Sequence, residues 1–286
     1  MIAATLYGGL GNQMFIYAVV RATALRNCTT MAFNLNQGFK DDKLFHRSLE
    51  LEHFHLQLPE DSISTFDVPL GKYIRYASRI IGFNLLKPSM RFLEERSVKL
   101  DDILKAKNAF IEGYFANDVY FADHADIIRR DFTVKKQFIT KTIKEELEQI
   151  RKYGRPIVMI GVRRYQECKT KSNIPQGGAT ETPSYFKNAM RHVSESVKNP
   201  IFWVFSQQQE WFKDNVDDGT YDVVYAKTKE GEHSAIEDFY LMEQCDHYII
   251  TRSTYYWWAA WLSSNKGKIV ICPRSYKSLS EGWMFV

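Results

Sequence analysis

Two segments far apart in the chain place small or hydroxyl residues at the expected start of a helix. The first is Gly8–Phe15, which follows a short apolar strand and contains three glycines. The second is Arg252–Trp261, in which Ser253 and Thr254 precede a run of aromatic residues. The start of a helix carries unpaired backbone N–H groups that can bind a phosphate. Two such turns predict two α/β domains that bind one phosphorylated ligand.

The glycine-rich turn departs from the dinucleotide-binding fingerprint. Gly9 and Gly11 supply two glycines of that pattern, but Met14 occupies the third position, and no acidic residue closes the second predicted strand. The turn therefore indicates either a close approach of the backbone to a ligand or a plain tight turn. The residues expected to contact a ligand are Gly9, Gly11, Asn12 and Gln13.

Arg163 and Arg164 directly follow a buried strand predicted over residues 157–162. A guanidinium group is always charged, and its planar fork matches two phosphate oxygens at once. A leaving nucleoside diphosphate gains negative charge as a glycosidic bond breaks, and a positioned arginine stabilises that charge. We expect these two residues to be catalytic; the alternative is a pair of surface arginines at a strand end.

Polar residues on two later helices are further candidates. Asp238 lies early in an apolar helix predicted over residues 234–244, where it either stabilises the helix dipole or accepts hydrogen bonds from a base such as guanine. Ser253 and Thr254 are expected to cap the next helix and to contact phosphate oxygens. The tryptophans that follow them are expected in the core.

The sequence contains no DxD motif, no HExxH motif and no Cys/His cluster with metal-ligand spacing. Arginines and helix starts would then neutralise a diphosphate in place of a divalent ion. The sequence therefore predicts a mechanism without metal or other cofactor.

Composition narrows the class of protein. The 286 residues, 45% of them hydrophobic, suit two globular domains, and a net charge of +4 is too small to indicate nucleic-acid binding. The first residues lack the features of a signal peptide, no apolar run reaches the length of a membrane span, and the four cysteines have no paired spacing. These features predict a cytoplasmic protein with at most peripheral contact with the inner membrane face.

Strands and helices alternate along the chain, which is typical of doubly wound parallel sheets whose ligands bind at the carboxyl ends of the strands. One helix is predicted over Asp118–Arg130. The break at Gly154-Arg155-Pro156 predicts the domain boundary, with one α/β domain over residues 1–153 and a second, Rossmann-like domain over residues 154–286.

The order of the motifs resembles that of bacterial α-1,2-fucosyltransferases, glycosyltransferase family 11, over almost the whole chain. The segments that carry the resemblance are Gly8–Phe15, Gly113–Phe115, Arg163-Arg164, Phe202–Ser206 with Trp211, Asp238–Met242, Ser253–Trp261 and Lys268–Pro273. The resemblance implies a GT-B-like enzyme, with two Rossmann-like doubly wound domains facing a central cleft. The first domain would lie on the acceptor side, and the second would bind the GDP-sugar.

The resemblance also implies the reaction and the role of each site residue. Such an enzyme transfers L-fucose from GDP-fucose to the 2-hydroxyl of a galactoside in a surface oligosaccharide, with inversion and without a metal. The glycine turn with Ser253 and Thr254 would contact the diphosphate, Asp238 would contact guanine, and Arg163 or Arg164 would clamp the β-phosphate. Candidates for a general base are Glu112 and Glu167, by location only.

The arginine motif departs from the family pattern His-x-Arg-Arg-x-Asp. Gly161 stands at the histidine position and Gln166 at the aspartate position. In related enzymes the histidine helps to hold guanine and the aspartate shapes the arginine loop. Two alternatives therefore stay open: a degenerate homologue that binds a nucleotide sugar or glycan without catalysis, and a Rossmann-type methyltransferase or dehydrogenase.

Overall fold

The computed structural model describes residues 1–35, 37–40, 42, 46–56, 58–59, 90–164, 181–227, 229, 231, 233–276 and 280–286. They form two compact units, unit 1 over residues 1–133 and unit 2 over residues 134–286. Each unit contains one sheet whose strands all run parallel. The predicted α/β class is confirmed.

Unit 1 contains a four-stranded sheet with the strand order β2-β1-β4-β3. Its described elements are β1 (Ile2–Thr5), α1 (Leu10–Arg26), β2 (Met31–Asn34), α2 (Gln37–Lys40), β3 (Arg91–Glu94), α3 (Leu100–Leu104), β4 (Ala109–Glu112) and α4 (Ala125–Asp131).

Helix α1 is buried on nearly all sides, which is why its sequence is apolar around its whole circumference. The few polar side chains that it buries are paired. The hydroxyl of Tyr17 and the Nε of Arg21 both donate to Asp131 Oδ2, each over 3.0 Å. These bonds fix α1 against α4 and so hold the glycine turn that starts α1.

Unit 2 contains a six-stranded sheet with the order β10-β9-β8-β5-β6-β7. Its described elements are α5 (Lys141–Arg151), β5 (Ile157–Gly161), α6 (Pro183–Ser196), β6 (Ile201–Phe205), α7 (Gln209–Asn215), β7 (Val223–Tyr225), α8 (Ser234–Glu243), β8 (His247–Ile249), α9 (Thr254–Leu262), β9 (Val270–Cys272) and β10 (Met284–Phe285).

Helices cover both faces of this sheet. On one face, α6 and α7 pack against alternate strand residues such as Val158 and Ile160. On the other face, α9 places the ring of Tyr256 against Gly161. The pleat of the strand directs position 161 to the face opposite Val158 and Ile160. The tryptophans of α9, Trp257, Trp258 and Trp261, are almost completely buried, as predicted.

The division into units differs from the predicted boundary at residue 153. Helix α5 belongs to unit 2, because it packs there through polar contacts as well as apolar ones. Glu146 Oε1 accepts a hydrogen bond from the backbone N–H of Lys227 over 2.9 Å, and Thr140 Oγ1 donates to Glu237 Oε1 over the same distance. The Gly154–Pro156 break therefore lies inside unit 2.

The helix predicted over Asp118–Arg130 is interrupted. The structure has two short 3-10 turns, Asp118–Tyr120 and Ala122–His124, before α4 begins at Ala125. Phe121 lies between the two turns with φ −143° and is completely buried. The predicted helix is broken at the position where this ring is buried.

Among the helices of the described segments, none is both long enough and apolar enough to cross a lipid bilayer.

Candidate functional site

The arginine pair lies where the sequence predicted it, directly after β5 at the carboxyl edge of the unit 2 sheet. Arg164 stacks on Trp211 of α7, with Cζ 3.8 Å from the centroid of the indole ring. Its Nε is buried and has no hydrogen-bond partner within the described part of the chain, and burial lowers the pKa of Arg164. Trp211 therefore orients the charged Arg164 guanidinium at this strand end.

The second predicted segment of unit 2 follows the neighbouring strand. Strands β5 and β8 pair with Ile160 opposite Ile249, so the residues after both strands emerge side by side, within about 5 Å between strand axes. Arg163-Arg164 and Arg252-Ser253-Thr254 consequently share one edge of the sheet. The sheet brings together the two cationic and hydroxyl-bearing segments that the sequence separates by almost 90 residues.

Ser253 is the N-cap of α9, but its hydroxyl does not cap the helix. The capping role predicted for the Ser253 hydroxyl is wrong, because that hydroxyl makes no capping hydrogen bond; the Ser253 carbonyl accepts the first helical bond from Trp257 N over 3.0 Å, as an N-cap carbonyl does. Thr254 is the first residue of α9. A helix start of this kind keeps N–H groups directed along its axis, where an anion is stabilised.

Arg252 is a residue of this edge that the sequence analysis did not select. Its Nε lies 3.7 Å from Oε1 of Glu181, and both side chains are largely buried. Burial raises the pKa of Glu181, and the nearby Arg252 opposes that rise. Arg252 adds a third arginine to the carboxyl edge, and the signal for it was its position three residues after the end of β8.

Asp238 belongs to a buried charge cluster. Lys229 Nζ donates to Asp238 Oδ1 over 2.7 Å and lies 3.2 Å from Glu146 Oε2, and only 6% of the Lys229 side chain is exposed. Burial raises the pKa of Asp238, while Lys229 lowers it. Lys229 therefore fixes the Asp238 carboxylate, which can still accept further hydrogen bonds through its remaining lone pairs.

The glycine turn of unit 1 joins β1 to α1 through a left-handed glycine. Gly8 has φ +79°, a conformation that favours glycine, and Gly9 is the N-cap of α1. Gly11 is buried in the first turn of α1, and Asn12 is partly exposed beside it. The turn exposes the start of a long helix at the carboxyl end of β1.

Gln13 has a different role from the predicted ligand contact. Its side chain is completely buried, and its amide group donates to the carbonyl oxygens of Gly8 and Ser48, each over 2.9 Å. Its Oε1 accepts from the backbone N–H of Glu50 over 3.0 Å. Because both amide hydrogens bind the protein itself, Gln13 shapes the turn.

Arg47 lies against the glycine turn and was missed in the sequence. A Cβ atom placed on Gly9 would lie 2.8 Å from Nη1 of Arg47, so a larger residue there would require this guanidinium to move. Arg47 Nε also lies 3.9 Å from Asp42 Oδ2. Arg47 falls in the stretch 36–110, where no motif or periodicity suggested chemistry.

The sequence profile described as Glycosyl transferase family 11 matches residues 1–281. The chain belongs to glycosyltransferase family 11. The resemblance seen in the order of the motifs is thereby confirmed.

Family 11 proteins of known activity are similar to this chain at low identity. An α-1,2-colitosyltransferase of Escherichia coli is 28% identical over 98% of this chain and 94% of its own length. The human galactoside α-(1,2)-fucosyltransferase 1 is 30% identical, over 54% of this chain and 42% of its own length. This chain thus spans the bacterial relative almost completely and less than half of the human protein.

The fold is similar to that of a solved structure, a point mutant of Arabidopsis thaliana FUT1 in complex with GDP. The TM-score is 0.52 at 11% sequence identity, and the match covers 96% of this chain and 70% of the other. At this identity the likeness concerns the fold alone, and it confirms the GT-B-like α/β class.

The glycine at the family's histidine position has a structural cause. A Cβ atom on Gly161 would lie 2.5 Å from Cγ of Tyr256, so the tyrosine ring occupies the space that any side chain at position 161 would need. The Tyr256 hydroxyl lies 3.3 Å from the carbonyl oxygen of Val162 and 3.2 Å from that of Phe205. In this family 11 chain, Tyr256 braces the strand ends beside the arginine pair.

Several sequence predictions fall outside this geometry. Gln166 and Glu167 lie outside the described residues, and Glu112 ends β4 in unit 1. Within the ranges that the structure describes, no three His, Cys, Asp or Glu side chains are grouped so that they could hold a metal ion. Metal-independent catalysis stays a prediction.

Proposed function

We propose that this family 11 protein is an inverting glycosyltransferase that moves L-fucose from GDP-fucose to the 2-hydroxyl of a galactoside in a surface oligosaccharide. The observation that carries the proposal is the convergence of Arg163-Arg164 and Arg252-Ser253-Thr254 at two neighbouring strand ends of unit 2. This edge offers three guanidinium groups and a helix start, which is the chemistry that binds a diphosphate.

The diphosphate is expected to bind to the arginine edge of unit 2. Trp211 holds the Arg164 guanidinium in one orientation, so little side-chain freedom is lost when an oxygen binds it. As the bond from C1 of fucose to the diphosphate oxygen breaks, the electron pair leaves with the diphosphate. A guanidinium already in place then stabilises the transition state more than the ground state.

Asp238 is expected to bind guanine through the N1–H and the 2-amino group. Its Oδ1 is paired with Lys229, and a carboxylate has enough lone pairs to accept from a base as well. Lys229 supports this role because it opposes the rise in the pKa of Asp238 that burial causes. A protonated Asp238 would lose acceptor capacity and bind guanine less well.

The acceptor hydroxyl oxygen forms the new bond to C1 from the face opposite the leaving diphosphate, which inverts the anomeric centre. The hydroxyl proton passes to a general base or to water. Glu112 and Glu167 are the candidate bases, and Glu112 lies at the carboxyl end of β4, the edge at which ligands of parallel sheets bind.

A second candidate donor carries colitose, a sugar that differs from fucose by a single hydroxyl. The similarity to a colitosyltransferase over 98% of the chain favours this second candidate. Colitose is fucose without the 3-hydroxyl, so the same diphosphate and guanine contacts would serve either donor. The two donors are compared in the assay below.

The non-catalytic alternative rests on the absence of the family's histidine, whose position is occupied by Gly161. Tyr256 fills the space beside Gly161, so the missing side chain leaves no cavity and the strand ends stay braced. This packing favours a retained, reorganised site over a degenerate one.

The reaction is proposed to take place in the cytoplasm, where GDP-sugars are consumed, with peripheral contact at the inner membrane face and no nucleic-acid partner. The proposal is consistent with the modest net charge of +4.

A transfer assay in the presence of EDTA tests the proposal. GDP-fucose and GDP-colitose are each offered with a panel of galactosides, and the product linkage and anomeric configuration are determined by NMR. We expect an α-1,2-linked product from one of the donors without added metal. If hydrolysis and transfer both require Mg²⁺ or Mn²⁺, the arginine-based mechanism is contradicted. Donor binding without transfer to any acceptor would favour the non-catalytic homologue.

A further inference from the structure

The turn Gly113–Phe115 after β4 is tightly built around one carboxylate. Oε2 of Glu95 accepts hydrogen bonds from the backbone N–H groups of Tyr114 and Phe115, each over 3.0 Å. A Cβ atom on Gly113 would lie 2.5 Å from Cβ of Glu95, and Phe115 adopts φ +50°. A non-glycine residue in this left-handed conformation is strained, and such strain is concentrated at functional sites.

The strained turn carries two aromatic rings on adjacent residues, one buried and one exposed. Phe115 is completely buried and packs edge-to-face on Tyr120, with 5.2 Å between ring centroids. Tyr114 is 44% exposed, and its ring centroid lies 5.0 Å from that of Tyr7. The buried Phe115 anchors the turn, and the anchored turn holds the Tyr114 ring at the surface.

This exposed ring lies among charged side chains at the carboxyl edge of the unit 1 sheet. Tyr7 ends the segment after β1 and directly precedes the glycine turn, and Tyr114 follows β4, the strand next to β1. Burial raises the pKa of Tyr7, and the negative charges of Glu112 and Glu95 raise it further. For Tyr114, burial raises the pKa and Arg47 lowers it. Glu95 and Glu112 are therefore near Tyr7, as is Arg96, and Arg47 and Asp42 are near Tyr114.

An aromatic face bordered by carboxylates and a guanidinium matches the chemistry of a pyranose ring. The C–H face of a hexose is apolar and stacks on an aromatic ring, while its hydroxyl groups hydrogen-bond to charged side chains at the edge. A ring held by a rigid turn binds with little loss of conformational entropy.

We propose that the Tyr114 ring, backed by Tyr7, is the platform on which a neutral hexose of the acceptor glycan stacks. This proposal rests on the glycosyltransferase function proposed above and assigns part of its acceptor specificity to unit 1. The main contacts proposed for the diphosphate lie at the arginine edge of unit 2, so the proposal predicts that Tyr114 affects acceptor affinity and leaves GDP affinity unchanged.

The first experiment compares Tyr114→Ala with Tyr114→Phe and with Tyr153→Ala, which removes an exposed tyrosine of unit 2. The KM for the acceptor is expected to rise about tenfold in Tyr114→Ala and to stay within about twofold in the other two variants. The affinity for GDP is measured by calorimetry and should not change in any of them. An unchanged acceptor KM in a folded Tyr114→Ala protein, or an effect confined to GDP or donor binding, would overturn the proposal.

The second experiment does not depend on catalysis. Saturation-transfer difference NMR is recorded with methyl glycosides of galactose, glucose, mannose and their N-acetylated amino-sugar counterparts. We expect the C–H protons of at least one glycoside to receive saturation from the wild-type protein and to lose it in Tyr114→Ala. Contact that survives in Tyr114→Ala, or no contact with any glycoside in the wild type, would refute the platform. If contact is lost as expected but no sugar is transferred, the proposed reaction fails while the platform stands.

Discussion

The glycine turn of unit 1 and the arginine edge of unit 2 are each held by a buried polar side chain, but the two units use different groups for it. In unit 1, the amide of Gln13 is buried and holds the turn together, while the partly exposed Asn12 lies beside the helix start. In unit 2, the hydroxyl of Tyr256 holds the strand ends, and the arginines and Ser253 lie at the edge. Burial, which a motif does not reveal, decides which polar residue is scaffold and which is available to a ligand.

The bracing in unit 2 uses two tyrosines from opposite faces of the sheet. The hydroxyl of Tyr185 donates to the carbonyl oxygen of Ile250 over 2.6 Å, and that of Tyr256 lies between the carbonyls of Val162 and Phe205. Carbonyl groups at strand ends lose their ladder partners and are costly to bury unpaired. The Tyr185 hydroxyl pairs the Ile250 carbonyl, and the Tyr256 hydroxyl adds to the Phe205 carbonyl, which also accepts from Val162 N over 3.0 Å; both fix the backbone from which the arginines project.

The largest expected effect comes from removing one arginine of the edge. Arg163→Ala or Arg164→Ala should lower turnover about 100-fold or more, because each removes a donor that stabilises charge on the leaving diphosphate. Turnover is measured at saturating donor and acceptor. Arg191→Ala, at an exposed position on α6, is the matched control and should leave turnover unchanged. Full activity in both edge variants would remove these residues from the mechanism.

A stability measurement tests whether the ring of Tyr256 fills the space beside Gly161. Gly161→Ala should lower the free energy of unfolding by about 3 kcal/mol, because the added methyl group meets the ring of Tyr256. The double variant Gly161→Ala/Tyr256→Ala makes room for the methyl group, so its loss of stability should be smaller than the sum of the losses in the two single variants. Denaturant unfolding of the single and double variants gives the coupling. Additive losses would show that the ring does not fill this space.

The smallest effects distinguish scaffold from ligand contact in unit 1. Gln13→Met keeps the side-chain shape but leaves two carbonyls and one N–H unpaired, so stability should fall by about 2 kcal/mol. Asn12→Ala should change stability by less than about 0.5 kcal/mol and weaken GDP-sugar binding about tenfold. Thermal unfolding and calorimetric titration of both variants check the contrast. The reverse pattern would mean that the two roles are exchanged.

The fold of unit 2 could be predicted because its strands are short, continuous apolar runs separated by helices of clear periodicity. Strand β6 and helix α9 have the predicted bounds, Ile201–Phe205 and Thr254–Leu262. The arginine pair could be selected because two charged residues directly after a buried strand need an explanation. In these cases the signal is local in the sequence.

The missed features depend on residues distant in the sequence. Lys229 pairs with Glu146 across 83 residues, and Arg47 reaches Gly9 across 38, so no local pattern announces either contact. The break at Phe121 and the inclusion of α5 in unit 2 have the same origin, since tertiary packing overrides the local helical signal and places a loop break inside a domain.

The central claim is that the arginine edge of unit 2 binds a GDP-sugar without a metal. Calorimetric titration of the purified protein with GDP-fucose, GDP-mannose, UDP-galactose and NAD, in the presence of EDTA, tests it most directly. The account predicts that GDP-fucose binds at least about tenfold more tightly than UDP-galactose or NAD, and that Arg164→Ala weakens this binding. Absence of GDP-sugar binding in EDTA, or equal binding by the Arg164→Ala variant, would contradict the account.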